Sequence, residues 1–313
     1  MLLLRPLFVV LLLSLTALPA RASEKLTVLL DWFVNPDHAP LVVGLEAGLF
    51  AEAGLDIELI APADPNDPPK LVAAGKAPLA VSYQPQLHIQ ASQGLPLTRI
   101  ATLVATPLNS LVVLDDGPVK GIADLKGRKI GYSVGGFEDA LLGAMLNGAG
   151  LSLSEVELIN VNFSLSPSIL SGQVDAVIGA FRNFELNQMD IVGQPGRAYF
   201  PEEHGVPAYD ELIVVANSAN LDDPRLPRFV DALEKSVQFM LNHPEQSWRM
   251  FIAAYPELDD ELNRRAWADT LPRFALRPGA VDRVRYERFA KFLLSQSLVD
   301  QIPLIESYAR DIR

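Results

Sequence analysis

The sequence predicts an α/β protein of two lobes with a helical C-terminal tail. Three features carry that prediction. Short apolar runs alternate with helical runs from Leu26 to Ala105. A second alternating unit opens near Lys120 and runs to Gly179, and from Pro224 to the end the pattern is almost wholly helical. Strand–helix alternation of this kind builds parallel sheets covered by helices.

The first unit opens with Leu26–Leu30, a short apolar run of the kind a buried parallel strand requires. A helix follows, with Asp37 as its cap, Pro40 in its first turn, and Leu41, Val42, Leu45 and Leu49 on its buried face. Gly54–Ile60 alternates as a second strand, which completes a βαβ unit. After the turn-rich stretch 61–69 come a helix over Lys70–Ala74, a strand over Ala77–Val81, a helix carrying His88 and a strand over Thr98–Ala105. The second unit holds a strand ending at Tyr132, a helix over Phe137–Leu146, a strand over Val156–Val161, a helix near Ser168–Ser171 and a strand over Val174–Gly179. Strands at Leu111–Leu114 and Leu212–Ala216 flank it and are read as the two hinge crossings. The expected division is 23–110 plus 210–313 for the first lobe and 111–209 for the second.

The chain has 313 residues, enough for two cores, with 49% apolar and 20% charged residues. The net charge of -12 and the lack of a basic stripe exclude a nucleic-acid partner. There is no cysteine, so disulfides, thiolate metal sites and thiol catalysis are excluded. Residues 1–22 read as a cleavable export signal. Arg5 is the basic start, Leu7–Leu18 the apolar run, and Ala20-Arg21-Ala22 the small-x-small site before Ser23. The apolar run falls short of the ~20 residues of a spanning helix. A bacterial periplasm suits an exported, cysteine-free chain.

Ligands in open α/β sheets bind beyond the carboxyl ends of the strands. Four strand ends here carry polar and aromatic residues: Asp31-Trp32-Phe33-Val34-Asn35-Pro36-Asp37-His38, then Ser82-Tyr83-Gln84, then Ser133–Gly136, then Phe181–Glu185. Trp32, Tyr83 and Phe181 or Phe184 can stack on a flat ring. Asp31 or Glu185 can accept paired bonds from an exocyclic amine and a protonated ring nitrogen. Asn35 and Gln84 can orient its edges, and Gly135-Gly136 can offer backbone N–H groups. Asn183 lies in the same strand-end segment. His38 is either a hydrogen-bonding partner at the helix start or a ligand contact. Gly131-Tyr132-Ser133-Val134-Gly135 matches the nucleophile elbow of serine hydrolases. Only His204 and His243 follow it, and no oxyanion-loop motif is present, so a hydrolase is disfavoured. The four scattered histidines have no metal-ligand spacing. No catalytic residue, metal or cofactor is therefore expected.

From about Lys25 onward the sequence resembles the ABC-transporter substrate-binding proteins of the thiamine-pyrimidine group, related to the yeast thiamine-pyrimidine synthases. The resemblance rests on Leu30–Ala39, Glu46-Ala47-Gly48-Leu49-Phe50, Gly54-Leu55-Asp56, Ser82-Tyr83-Gln84-Pro85, Leu125–Gly131 and Gly179–Glu185. It implies a type II periplasmic-binding-protein fold, two α/β lobes closing on a formylaminopyrimidine or hydroxymethylpyrimidine. It also implies ABC permease and ATPase partners, and a monomer is expected. Asp31, Trp32, Asn35 and Glu185 carry over as pocket residues, with Tyr83 and Gly135-Gly136 beside them. Phe33-Val34 and Phe181-Arg182 depart from the residues that many relatives carry, which leaves room for a variant pyrimidine. A nitrate, sulfonate, taurine or riboflavin-like ligand is the alternative within the binding class. The synthase relatives use a lysine for pyridoxal phosphate, a sacrificial histidine and a cysteine-rich iron motif. Ser82 and Gln86 stand at the first two positions, and the chain lacks cysteine, so synthase chemistry is not expected.

Overall fold

A computed structural model describes residues 23–313; the export-signal reading of 1–22 lies outside the described residues. Among the described residues, ten strands form two five-stranded sheets. The first sheet takes β1 (Glu24–Leu29), β2 (Leu55–Ile60), β3 (Leu79–Ser82) and β4 (Leu97–Val104). The second takes β5 (Asn109–Leu114), β6 (Lys129–Tyr132), β7 (Glu157–Asn160), β8 (Ala176–Phe181) and β9 (Gly196–Tyr199). β10 (Leu212–Asn217) returns to the first sheet.

The strand orders, β2-β1-β3-β10-β4 and β7-β6-β8-β5-β9, show one plan used twice. In each sheet three parallel strands are followed by one antiparallel strand that enters after the chain has changed lobes. The apolar run of β1 is explained by its position: it is bonded to β2 on one side and β3 on the other, with Leu26 and Val28 fully buried. β9 was not legible in the sequence. It is a short edge strand paired only with β5, half-buried at all four positions, so it carries no apolar run.

The hinge assignment needs correction. β5 is bonded on both edges within the second sheet, and β10 on both edges within the first. A strand paired on both sides cannot bend freely, so the crossings are the segments 105–108 and 200–211 beside them. The two crossings are braced to each other. Buried Glu211 accepts from the backbone N–H groups of Leu108 at 2.6 Å and Asn109 at 2.8 Å. Arg182 donates to the Leu108 carbonyl at 3.3 Å and pairs with Glu202 at 2.6 Å.

The C-terminal helices cover the first sheet. Helix Arg225–Asn242 packs on helix Ala39–Glu46, and Ser236 donates to the Pro40 carbonyl at 2.6 Å. Gly44 permits this approach, because a Cβ there would fall 3.2 Å from the Ser236 Cβ on the facing helix, and 2.6 Å from the Phe50 ring. The last segment is tied down by Arg99 on β4, whose side chain is fully buried. Its guanidinium donates to the carbonyls of Pro278 at 2.7 Å, Gly279 at 2.8 Å and Ala280 at 2.6 Å. Among the described residues no helix is long and apolar enough to cross a membrane.

Candidate functional site

The loop after β1 is shaped by its own side chains. Asn35 caps the short turn Pro36–His38: its Oδ1 accepts the Asp37 N–H at 2.8 Å. In return the Asn35 N–H donates to His38 Nδ1 at 3.3 Å. Since Nδ1 accepts, the ring proton sits on Nε2, which donates to Asp31 Oδ1 at 2.9 Å. Tyr83, at the end of β3, donates its hydroxyl to Asp31 Oδ2 at 2.8 Å. Burial, and then the nearby Asp31 charge, push the Tyr83 phenol well above its usual range and keep it a donor. Asp31 is thereby held by one donor on each oxygen, with an acceptor site left on each.

The second lobe answers with two glutamates at helix starts. Glu138 opens helix Glu138–Gly148 and accepts the N–H groups of Ser133 at 2.8 Å and Val134 at 3.1 Å. Burial pushes its carboxyl up to about 8 against the pull of those amides. Glu185 opens helix Glu185–Ile191 and accepts the Phe181 N–H at 2.6 Å; burial lifts it to about 7. Gly179 lies beside Glu138 with φ +99°, and a Cβ there would fall 2.5 Å from Glu138 Oε1. Only glycine accommodates both that backbone and that carboxylate.

Between the lobes is a cavity with about 430 Å³ of empty space, part of it open to solvent. The first lobe lines it with Asp31, Trp32, Asn35, Asp37 and Tyr83. The second lines it with Glu138, Leu165, Gly179, Phe181, Phe184 and Glu185. Four carboxylates therefore face one cavity, and among the described residues no lysine, arginine or histidine lines it. Aromatic contacts cross the cleft as well. Trp32 meets Phe163 edge-on at 4.6 Å, and Tyr83 stacks on Phe137 at 4.9 Å.

Six of the eleven expected ligand residues line the cavity: Asp31, Trp32, Asn35, Tyr83, Phe181 and Glu185. The other five stand elsewhere, each for a visible reason. His38 is fully buried behind Asp31 and serves as its donor. Gln84 is turned into the first lobe, where it accepts the Asp210 N–H at 2.7 Å and meets His88 at 3.1 Å. The Gly135 N–H donates across the cleft to Asn66 Oδ1 at 3.0 Å, and the Gly136 N–H donates to Asp139 at 2.7 Å. Asn183 reaches across to donate to Asp37 Oδ1 at 2.6 Å and to Thr270 at 2.6 Å. Asp37, Glu138, Leu165 and Gly179 also line the cavity and were not expected there. Asp37 and Glu138 sit at helix starts, where an acid is expected anyway, so sequence alone cannot separate a cap from a cavity wall.

The cleft is clasped on both sides. On one side Asn66 donates to the Ser133 carbonyl at 3.2 Å while accepting from Gly135. On the other, besides Asn183, Asn187 donates to Asp269 at 2.8 Å and Arg265 pairs with Asp190 at 2.6 Å. Ser133, the candidate nucleophile, is buried and donates its hydroxyl to the Asn162 carbonyl rather than to a histidine. No group of three or more potential metal ligands is gathered among the described residues.

Two mirrored α/β lobes, braced crossings and a lined interlobe cavity define the periplasmic-binding-protein fold. The alkanesulfonate-binding protein of Xanthomonas axonopodis pv. citri, solved bound to MOPS, superposes with a TM-score of 0.72 at 15% identity, over 92% of this chain and 99% of that one. More narrowly, the chain belongs to the NMT1/THI5-like family, whose model matches residues 35–247. It is 52% identical over 296 residues to a Haemophilus influenzae protein named for thiamine biosynthesis, with 94% of each chain covered. It is 34% identical over 258 residues to the formylaminopyrimidine-binding protein of Halalkalibacterium halodurans, covering 82% of this chain and 78% of the relative. A 4-amino-5-hydroxymethyl-2-methylpyrimidine phosphate synthase of Legionella pneumophila is 23% identical over 283 residues, with 89% of each chain covered.

Proposed function

We propose that this chain is the solute-binding component of an ABC importer and that it captures a thiamine pyrimidine precursor, formylaminopyrimidine or hydroxymethylpyrimidine, in the periplasm. The observation that carries the reading is the cavity itself, aromatic and acidic, with walls from both lobes. A ring stacked beside Trp32 or Tyr83 would place its amine and ring nitrogens against carboxylates. The kinship with a formylaminopyrimidine-binding protein supports the same ligand class. A ligand that touches both lobes stabilises the closed form by its differential affinity for it. The closed protein then delivers the solute to a permease and ATPase, acting as a monomer and without turnover.

The synthase relatives present the other reading. Ser82 donates to Gln86 at 2.9 Å within the buried first lobe. These are the positions where the resemblance puts the synthase lysine and histidine. Neither side chain can form an imine with pyridoxal phosphate or supply an imidazole. That chemistry favours the binder.

Mass spectrometry of ligand released from the purified protein tests the proposal, together with calorimetric titration. A pyrimidine precursor should be recovered and should bind with a melting-temperature rise and no product. Recovery of taurine or an alkanesulfonate, or a melting shift with those alone, would overturn the pyrimidine assignment.

A further inference from the structure

The serine of the Gly131-Tyr132-Ser133-Val134-Gly135 motif has no nucleophile's partner, yet all three of its polar groups are engaged. Ser133 is 1% exposed. Its N–H donates to Glu138 Oε2 at 2.8 Å, on the cavity wall. Its carbonyl accepts from Asn66 Nδ2 of the first lobe at 3.2 Å. Its hydroxyl donates to the Asn162 carbonyl. One residue thus touches the cavity wall, the opposite lobe and the turn after β7.

That turn carries Phe163. It is closed by a bond from the Ser164 N–H to the Val161 carbonyl at 2.9 Å. Asn162 takes φ +51° within it, a left-handed conformation that asparagine tolerates better than most residues. The Asn162 N–H donates to Asn160 Oδ1 at 2.8 Å. The Asn162 carbonyl belongs to the peptide that leads into Phe163, so the Ser133 hydroxyl fixes the mounting of that ring. Phe163 is not part of the cavity lining. Its ring meets two rings of the first lobe, Trp32 at 4.6 Å and Phe33 at 4.6 Å. Trp32 lines the cavity and Phe33 is 53% exposed, so the three rings run from the cavity wall out to solvent. Trp32 also packs against the second lobe's apolar cluster, which includes Val161 and Leu165. These contacts join opposite lobes, and opening the cleft breaks them.

We propose that Ser133 is a positioning residue for closure and that Phe163 is the latch it positions. A ligand held against Glu138 is then released slowly, because the same serine steadies the Phe163 turn and meets the Asn66 clasp. This rests on reading the interlobe cavity as the ligand site, whichever solute fills it. The latch acts after capture. The open form meets its ligand without these contacts, so their loss appears in the release rate and not in the encounter rate. A serine that merely packs the second lobe would change the melting of the empty protein and leave release as it is.

Stopped-flow tryptophan fluorescence, with Trp32 as the reporter in the cleft, reads both rates for wild type, Ser133→Ala, Phe163→Ala and the double variant. The probes are formylaminopyrimidine and taurine. Each single variant should speed release by about 10-fold, the worth of one hydrogen bond or one aromatic pair. Association should stay within about twofold. The double variant should release about as fast as the faster single one, since both disable one element. Asn162→Val, which leaves Ser133 and the cavity wall in place, should also speed release, because a β-branched residue does not hold φ +51°. Unchanged release in Ser133→Ala or in Phe163→Ala would overturn the latch, and so would a double variant whose effect is the product of the two. Wild type that binds taurine and not formylaminopyrimidine would remove the pyrimidine reading alone, and the same variants would then judge the latch with taurine. Binding of neither probe would overturn the cavity reading and the latch with it.

Discussion

Gly179→Ala puts the construction of the cavity floor to the test. The backbone at 179 has φ +99°, which an L side chain adopts only with strain of about 1–3 kcal/mol. The added methyl would lie 2.5 Å from Glu138 Oε1, 2.6 Å from Cδ and 2.7 Å from Oε2, so the carboxylate must move. Moving it breaks the bonds from the Ser133 and Val134 N–H groups at 2.8 and 3.1 Å. Glu138, lifted to about 8, is mostly protonated at neutral pH, so each of these bonds is worth about 0.5–1.5 kcal/mol. The net expectation is about 3–5 kcal/mol. At about 2–4 °C per kcal/mol for a protein of this size class, the melting temperature should fall by about 6–20 °C. The displaced carboxyl also intrudes on the cavity, so affinity should fall by about tenfold or more, because it occupies space the ligand must fill. Scanning calorimetry with and without ligand reads both effects. A melting temperature within 2 °C or so of wild type, with unchanged affinity, would refute the argument, since neither the strain nor the contact can be absorbed without moving Glu138.

The buried carboxylates set a pH dependence. Asp37 at about 6, Glu185 and Glu211 at about 7 and Glu138 at about 8 all sit above their unfolded values, so the folded state holds the extra protons. Their contribution is complete below the unfolded values and is lost as pH rises through the folded ones. Buried His88, lowered to about 3, acts in the opposite sense below its unfolded 6.5. Between pH 6.5 and 8.5 the melting temperature of the empty protein should therefore fall, and a rising one would contradict the assignment. Trp32→Ala should weaken pyrimidine binding by about 1–3 kcal/mol in titration, the usual worth of stacking a base on an aromatic ring; equal affinities would remove Trp32 from the ligand wall. Arg99→Met should strand the carbonyls of Pro278, Gly279 and Ala280 at about 1–3 kcal/mol each, and limited proteolysis should then release the C-terminal segment; an unaltered digest would show that packing alone holds it.

What the sequence by itself determined is the local chemistry. The run Leu26–Leu30 identified a central parallel strand, in which Leu26, Val28 and Leu30 are fully buried and Thr27 and Leu29 between them are half-buried. The clusters at strand ends located Asp31, Trp32, Asn35, Tyr83, Phe181 and Glu185, all of which the fold gathers at one cavity. The edge strand β9 and the hinge left no such trace, the first because it is half-buried, the second because it is irregular backbone beside ordinary strands. Only the tertiary structure decided which polar residues face the cavity and which stand behind it. His38 and Gln84 have the same chemistry as their neighbours, and their direction depends on partners such as Asp31 and Asp210. The bond between Asp37 and Asn183 joins residues from opposite lobes, and no local pattern encodes it. The unpartnered oxygen left on Asp37 is likewise a property of the closed cleft, since burial and missing partners exist only once the lobes meet.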